Sequence, residues 1–144
     1  MVVGVPVAAL CTLATMFWPA ARRRLGVGTP VLALLCVALV FVTQQAGQWL
    51  LERVAQTPEI VAHANDGRTL LPWAWGMLGS ALAAWLWHRF AVRKRIGARF
   101  GTGWAVAVAV ILGAAVLAVS VGIIVDVAVI GEAGSRAVWG GLLG

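Results

Sequence analysis

The stretch GWAVAVAVILGAAVLAVSVGIIVDVAVI, residues 103–130, decides the fold class of this chain. Asp126 is its only charge, and no proline interrupts it. A helix rises about 1.5 Å per residue, so this run is long enough to cross the roughly 30 Å hydrocarbon core of a bilayer. Three more apolar runs precede it, at residues 2–20, 30–51 and 70–90. None shows the apolar/polar alternation of a membrane barrel strand, so helices are expected. The 144 residues are 62% hydrophobic and 11% charged, whereas a soluble domain carries about 25% charged residues. The sequence therefore predicts one all-α domain over residues 1–144, an integral membrane four-helix bundle.

Charge placement orients the bundle. Of the eleven basic residues, eight form two blocks: Arg22, Arg23, Arg24, then Arg89, Arg93, Lys94, Arg95, Arg99. Blocks between apolar runs do not make the continuous basic face that nucleic acid requires, so no nucleic-acid partner is expected. Retention of Lys and Arg on the cytoplasmic side puts both blocks inside and both termini outside. The segment 52–69 is then external, with Glu52, Glu59 and Asp66 against Arg53 and Arg68. In the first run the positive charge follows the apolar residues, the reverse of a signal peptide, so a retained span is expected. Ten Arg against one Lys, with abundant Ala and Val, suits a bacterial source and hence a bacterial plasma membrane.

Local signals divide the runs. Thr29 is placed to cap the second span, with Pro30 in its first turn. Thr57, Pro58 and Glu59 repeat that pattern and predict a small surface helix ending near Gly67; Pro72 then falls in the first turn of span three. Gly101-Thr102-Gly103 reads as the turn into span four. Trp18, Trp49, Trp73, Trp87 and Trp104 lie near span ends, where indoles favour the headgroup region. Gly76, Ser80 and Ala84, and likewise Ala105, Ala109 and Gly113, form small-residue ridges for close helix contact. These ridges suit the bundle itself, a homo-oligomer or a membrane protein partner. Cys11 and Cys36 sit inside apolar runs and are expected to pack as small hydrophobes.

Polar chemistry gathers at one end. Gln44, Gln48 and Glu52 recur every four residues and share a helix face. Asp126 is the only acid within a span and a functional candidate for that reason; interfacial water, a neutral buried carboxyl, or a cation such as Arg53, Arg68 or Arg136 would each suit it. His63 and His88 fall on opposite sides of the membrane, so they cannot share one metal ion. The candidate site is an outer polar cluster of Gln44, Gln48, Glu52, His63, Asp126 and Glu132; interhelical glue is the alternative use of its amides. No hydrolase elbow, phosphate loop or paired-cysteine motif occurs, so an enzyme is not expected.

Three motifs then carry a resemblance: Gln45-Ala46-Gly47-Gln48-Trp49-Leu50, Thr57-Pro58 with His63 through Gly67, and Gly131-Glu132-Ala133-Gly134-Ser135-Arg136-Ala137-Val138-Trp139. In order and spacing they resemble the domain-of-unknown-function 2231 family of four-helix bacterial membrane proteins. Members of that family often carry histidines at the external helix ends, and some are fused to Rieske-type iron-sulfur domains. The resemblance thus implies a membrane redox role and a haem b site with His63 as an axial ligand. Glu132 stands where many relatives have histidine. The expected function is a non-enzymatic subunit of a membrane assembly, respiratory or redox in kind. A haem-binding electron-transfer protein is the alternative, and an ion or small-solute carrier resting on Asp126 is the third.

Overall fold

The computed structural model describes residues 3–54, 58–90 and 92–139, with the side chains of residues 59 and 136–139 left aside. Its six helices are α1 (Gly4–Phe17), α2 (Pro19–Leu25), α3 (Gly28–Leu51), α4 (Pro58–Arg89), α5 (Val92–Phe100) and α6 (Thr102–Trp139). No strand occurs among the described residues. Two helices, Gly28–Leu51 and Thr102–Ser135, are long and apolar enough to cross a membrane. Only 28% and 22% of their apolar windows are buried within the protein.

Helix α4 is the hub, packing against α1, α3 and α6, while α1 also contacts α3 and α6. Residue pairs fix the directions. Gly76 meets Val119, Gly122 meets Trp73 and Gly134 meets His63, so α4 and α6 run antiparallel. Gly113 meets Phe17 and Ser120 Oγ reaches the Ala9 carbonyl at 3.4 Å, so α1 and α6 do the same. The core is built from small and β-branched side chains, with Ala8, Ala9, Ala33, Ala74 and Ala81 between Val5, Val40, Met77 and Ile123. Small residues let backbones approach closely, which raises dispersion contact where apolar surroundings give helices little reason to cluster. The ridges read from sequence serve this purpose: Ser80, Ala84 and Ala105 are buried. At Gly122 the approach is closest, because a Cβ there would lie 2.4 Å from the Trp73 ring.

The elements depart from expectation in four places. The first apolar run is broken at Trp18, which is extended at φ −115° and ψ 113°. Pro19 causes this, since its ring disfavours helical backbone in the residue before it, and α2 restarts with Pro19 at its first turn. Arg22 then turns back onto α1, donating from Nε to the Thr15 carbonyl (3.1 Å) and from Nη2 to the Met16 carbonyl (3.0 Å). A cation satisfying terminal carbonyls stabilises a helix C-terminus; burial lowers the pKa of Arg22 from its usual value.

The expected small surface helix and third span are one continuous helix, α4, with Pro72 well inside it. Gly67 does not end it, because a mid-helix glycine costs only about 1 kcal/mol against the packing of the turns that follow. Thr57 of that predicted start lies outside the described residues. Thr29 does not cap α3: the helix begins at Gly28 with Val27 at the cap position and no side-chain cap. Trp87 is not an interfacial anchor, being only 6% exposed, whereas Trp18, Trp49 and Trp104 are exposed. Four of the five residues of the second basic block, Arg93, Lys94, Arg95 and Arg99, lie on the amphipathic helix α5, while Arg89 ends α4; α5 ends at Gly101 with φ +93°. Glycine suits that left-handed turn, as the sequence indicated.

Candidate functional site

The last turns of α3, the first turns of α4 and the last turns of α6 enclose a cavity of about 470 Å³. Ligand pockets commonly measure roughly 300–1,000 Å³. Leu51, Ile60, Leu70, Val127 and Ile130 supply apolar wall, and Gln44, Gln48, His63 and Arg68 supply polar groups. Three of the six predicted cluster residues, Gln44, Gln48 and His63, are thus brought to one cavity.

Each has a structural reason for its place. The side-chain nitrogen of Gln44 donates to the Gly67 carbonyl at 2.8 Å, tying α3 to α4 across the cavity wall. A side-chain amide keeps further donor and acceptor capacity after one such bond. Gln48 lies one turn on, exposed at the rim. His63, expected on a small surface helix in the external segment, stands on the long helix α4 with its ring against Gly134; a Cβ at that glycine would come within 3.0 Å of the imidazole. Its Nδ1 is buried and has no hydrogen-bond partner among the described residues. An unpaired buried polar atom costs about 1–3 kcal/mol, and a ligand that pairs with it recovers that cost.

The other three do not line the cavity. Asp126 faces Thr69, whose hydroxyl lies 3.0 and 3.1 Å from the two carboxylate oxygens and 2.7 Å from the Asp66 carbonyl. With a single O–H, Thr69 donates to one of these at a time. Thr69, not an arginine, is therefore the partner of Asp126 among the described side chains. Arg53 lies over the Trp49 ring at 3.9 Å and donates to the Trp49 carbonyl; the side chain of Arg136 is outside the described set. Glu52 and Glu132 are exposed.

The residues missed by sequence reasoning are those that shape the cavity. Gly131 and Gly134 stand inside a quoted motif, yet spacing does not say that one leaves open space and the other seats His63. Gly67 contributes through its carbonyl, which no side-chain pattern reports.

A haem fits this donor set poorly. His63 is the one imidazole at the cavity, and His88 lies 25 residues along the same helix, about 37 Å away. No group of three or more His, Cys, Asp or Glu able to hold a metal ion occurs among the described residues. Cys36 is buried in the core, its Sγ 3.6 Å from the Gly4 carbonyl. No family model, no curated protein and no solved structure matches this chain.

Proposed function

We propose that this chain is a four-helix membrane protein of the bacterial plasma membrane, with α3, α4 and α6 as full spans and α1, an apolar helix of 14 residues, completing the bundle as a shorter element. It acts without catalysis, as a component that binds an amphipathic ligand at its outer end. The carrying observation is the unpaired Nδ1 of His63, buried at an apolar cavity of about 470 Å³. An apolar body of ring or chain type would fill the space beside Leu70, Val127 and Ile130, and a carbonyl or hydroxyl head would pair with His63 and Gln44. The membrane reading is supported by the large hydrophobic side chains exposed along α3 and α6, among them Leu34, Leu35, Leu39, Val110, Ile111 and Val121. Such surface is stable against lipid and costly against water. The outward orientation rests on the basic blocks. The ligand would be taken from, or presented to, a partner membrane protein or a second copy of this chain.

The test uses Gly131. A Cβ there meets nothing within 4 Å, so Gly131→Phe fills the cavity without displacing the fold. The protein, purified in mild detergent, is expected to carry an extractable lipophilic molecule that Gly131→Phe excludes and His63→Ala binds about tenfold less tightly. Equal recovery from all three proteins overturns the reading. A haem band in the visible spectrum, lost in His63→Ala, would instead favour electron transfer with one protein ligand to the iron.

A further inference from the structure

At the opposite end, α2, the start of α3 and the last turns of α4 enclose a second pocket, of about 190 Å³. Its polar lining includes Arg22, Thr29, His88 and Arg89, with no carboxylate among the lining residues. Every acidic residue of the chain lies within residues 52–66 or 126–132, on segments that belong to the other end. The pocket therefore has a positive field with no internal counter-charge.

Two of its polar atoms lack partners. Thr29 is 3% exposed, and its Oγ1 is buried without a hydrogen bond. His88 Nε2 is in the same condition. Thr29 is the residue whose sequence suggested a cap, and freed from that task its hydroxyl lines the pocket at the N-terminal turn of a 24-residue helix. Helix N-termini carry a partial positive charge and favour anions. Arg22 spends two of a guanidinium's five donors on the Thr15 and Met16 carbonyls, so it is held in place while keeping donor capacity.

We propose that this pocket binds a phosphate group, carried by a phospholipid headgroup or by a free phosphate. The anion would accept from the Thr29 hydroxyl and from Arg22 and Arg89, and from His88 Nε2 when the ring is the doubly protonated imidazolium, since the Met16 backbone engages its other nitrogen. Arginine matches phosphate oxygens with paired N–H donors, and basic pockets between membrane helices suit anionic headgroups. This site shares no lining residue with the outer cavity, so the two readings stand or fall separately.

The experiment compares the full-length protein with Thr29→Val, His88→Gln and Arg89→Gln, and with Arg95→Gln on the exposed face of α5 as a control. Each is purified in neutral detergent and titrated with phosphatidylglycerol, phosphatidylcholine or inorganic phosphate. Binding is read by native mass spectrometry and by the shift in melting temperature. Phosphatidylglycerol is expected to bind and stabilise the unaltered protein, and each pocket substitution to weaken this roughly tenfold, with Arg95→Gln close to the unaltered protein. Thr29→Val keeps shape and volume while deleting the hydroxyl, so it separates lost recognition from lost folding. If inorganic phosphate alone reproduces the effect, the source is free phosphate and the site stands. If all four variants bind equally, or Arg95→Gln weakens binding as much as the pocket substitutions, the attraction is diffuse and the proposal is overturned.

Discussion

The two ends of the molecule solve opposite problems with the same helices. At one end α3, α4 and α6 form a large space walled by Leu, Ile and Val, with the uncharged groups of Gln44, Gln48 and His63 and one exposed cation, Arg68. At the other, α2, α3 and α4 close a space less than half as large, in which two arginines stand beside an unpaired hydroxyl and an unpaired imidazole nitrogen. Each end has one histidine on α4, and each histidine has one buried nitrogen without a partner. What differs is the charge around it, and the contrast shows why residue type alone says little about chemistry. An imidazole among apolar wall and amides, with its one arginine exposed to solvent, suits a neutral ligand head; the same ring between two guanidinium groups suits an anion.

The sharpest way to break this comparison is to ask whether the ends face different compartments. With Cys11 and Cys36 replaced by Ala, a cysteine at exposed Ala62 should react fully with an impermeant thiol reagent applied to intact cells. One at exposed Ala98 should react only after lysis. Reaction of Ala98→Cys alone would invert the orientation, and reaction of both would remove the membrane between them.

The next effect concerns the contact that holds the ends in register. Gly122→Val forces side-chain atoms into the Trp73 ring, which a Cβ already meets at 2.4 Å. Overpacking of this kind costs about 1–3 kcal/mol, so the melting temperature should fall and ligand binding should weaken at both ends. Loss at only one end would mean that the two are built independently.

The smallest effect is Gln44→Leu. It deletes the bond to the Gly67 carbonyl, and interhelical hydrogen bonds of this type contribute about 0.6–2 kcal/mol. Thermal stability should drop slightly while phosphate-group binding at the basic end is unchanged. A large loss of stability would make Gln44 chiefly a structural tie and weaken its role toward a ligand.

How far these features were legible depends on whether the signal is local. The helical nature of residues 103–130 follows from the composition of that one run, and the turn at Gly101 follows from its glycine. The break at Trp18 was equally local, since Pro19 dictates it, yet the apolar run on both sides masked it. Thr29 was read as a cap because threonine is a good cap residue and Pro30 suits a first turn; the chain enters the helix two residues earlier, and the hydroxyl turns to the pocket instead. The grouping of Gln44, Gln48 and His63 was anticipated from their common end of the helices. The exclusion of Asp126 was not, because Thr69 on α4 approaches it from a neighbouring element.

By itself the sequence determined the character of each segment: apolar length sets the helices, Pro19 and Gly101 place two of their breaks, and two arginine-rich blocks remote from every acid give the molecule two unlike ends. Only the tertiary structure decided which polar atoms are left unpaired. Whether a buried nitrogen or hydroxyl finds a partner depends on backbone and side chains brought from other helices, such as the Gly134 backbone against His63. No periodicity along a single segment encodes that distance.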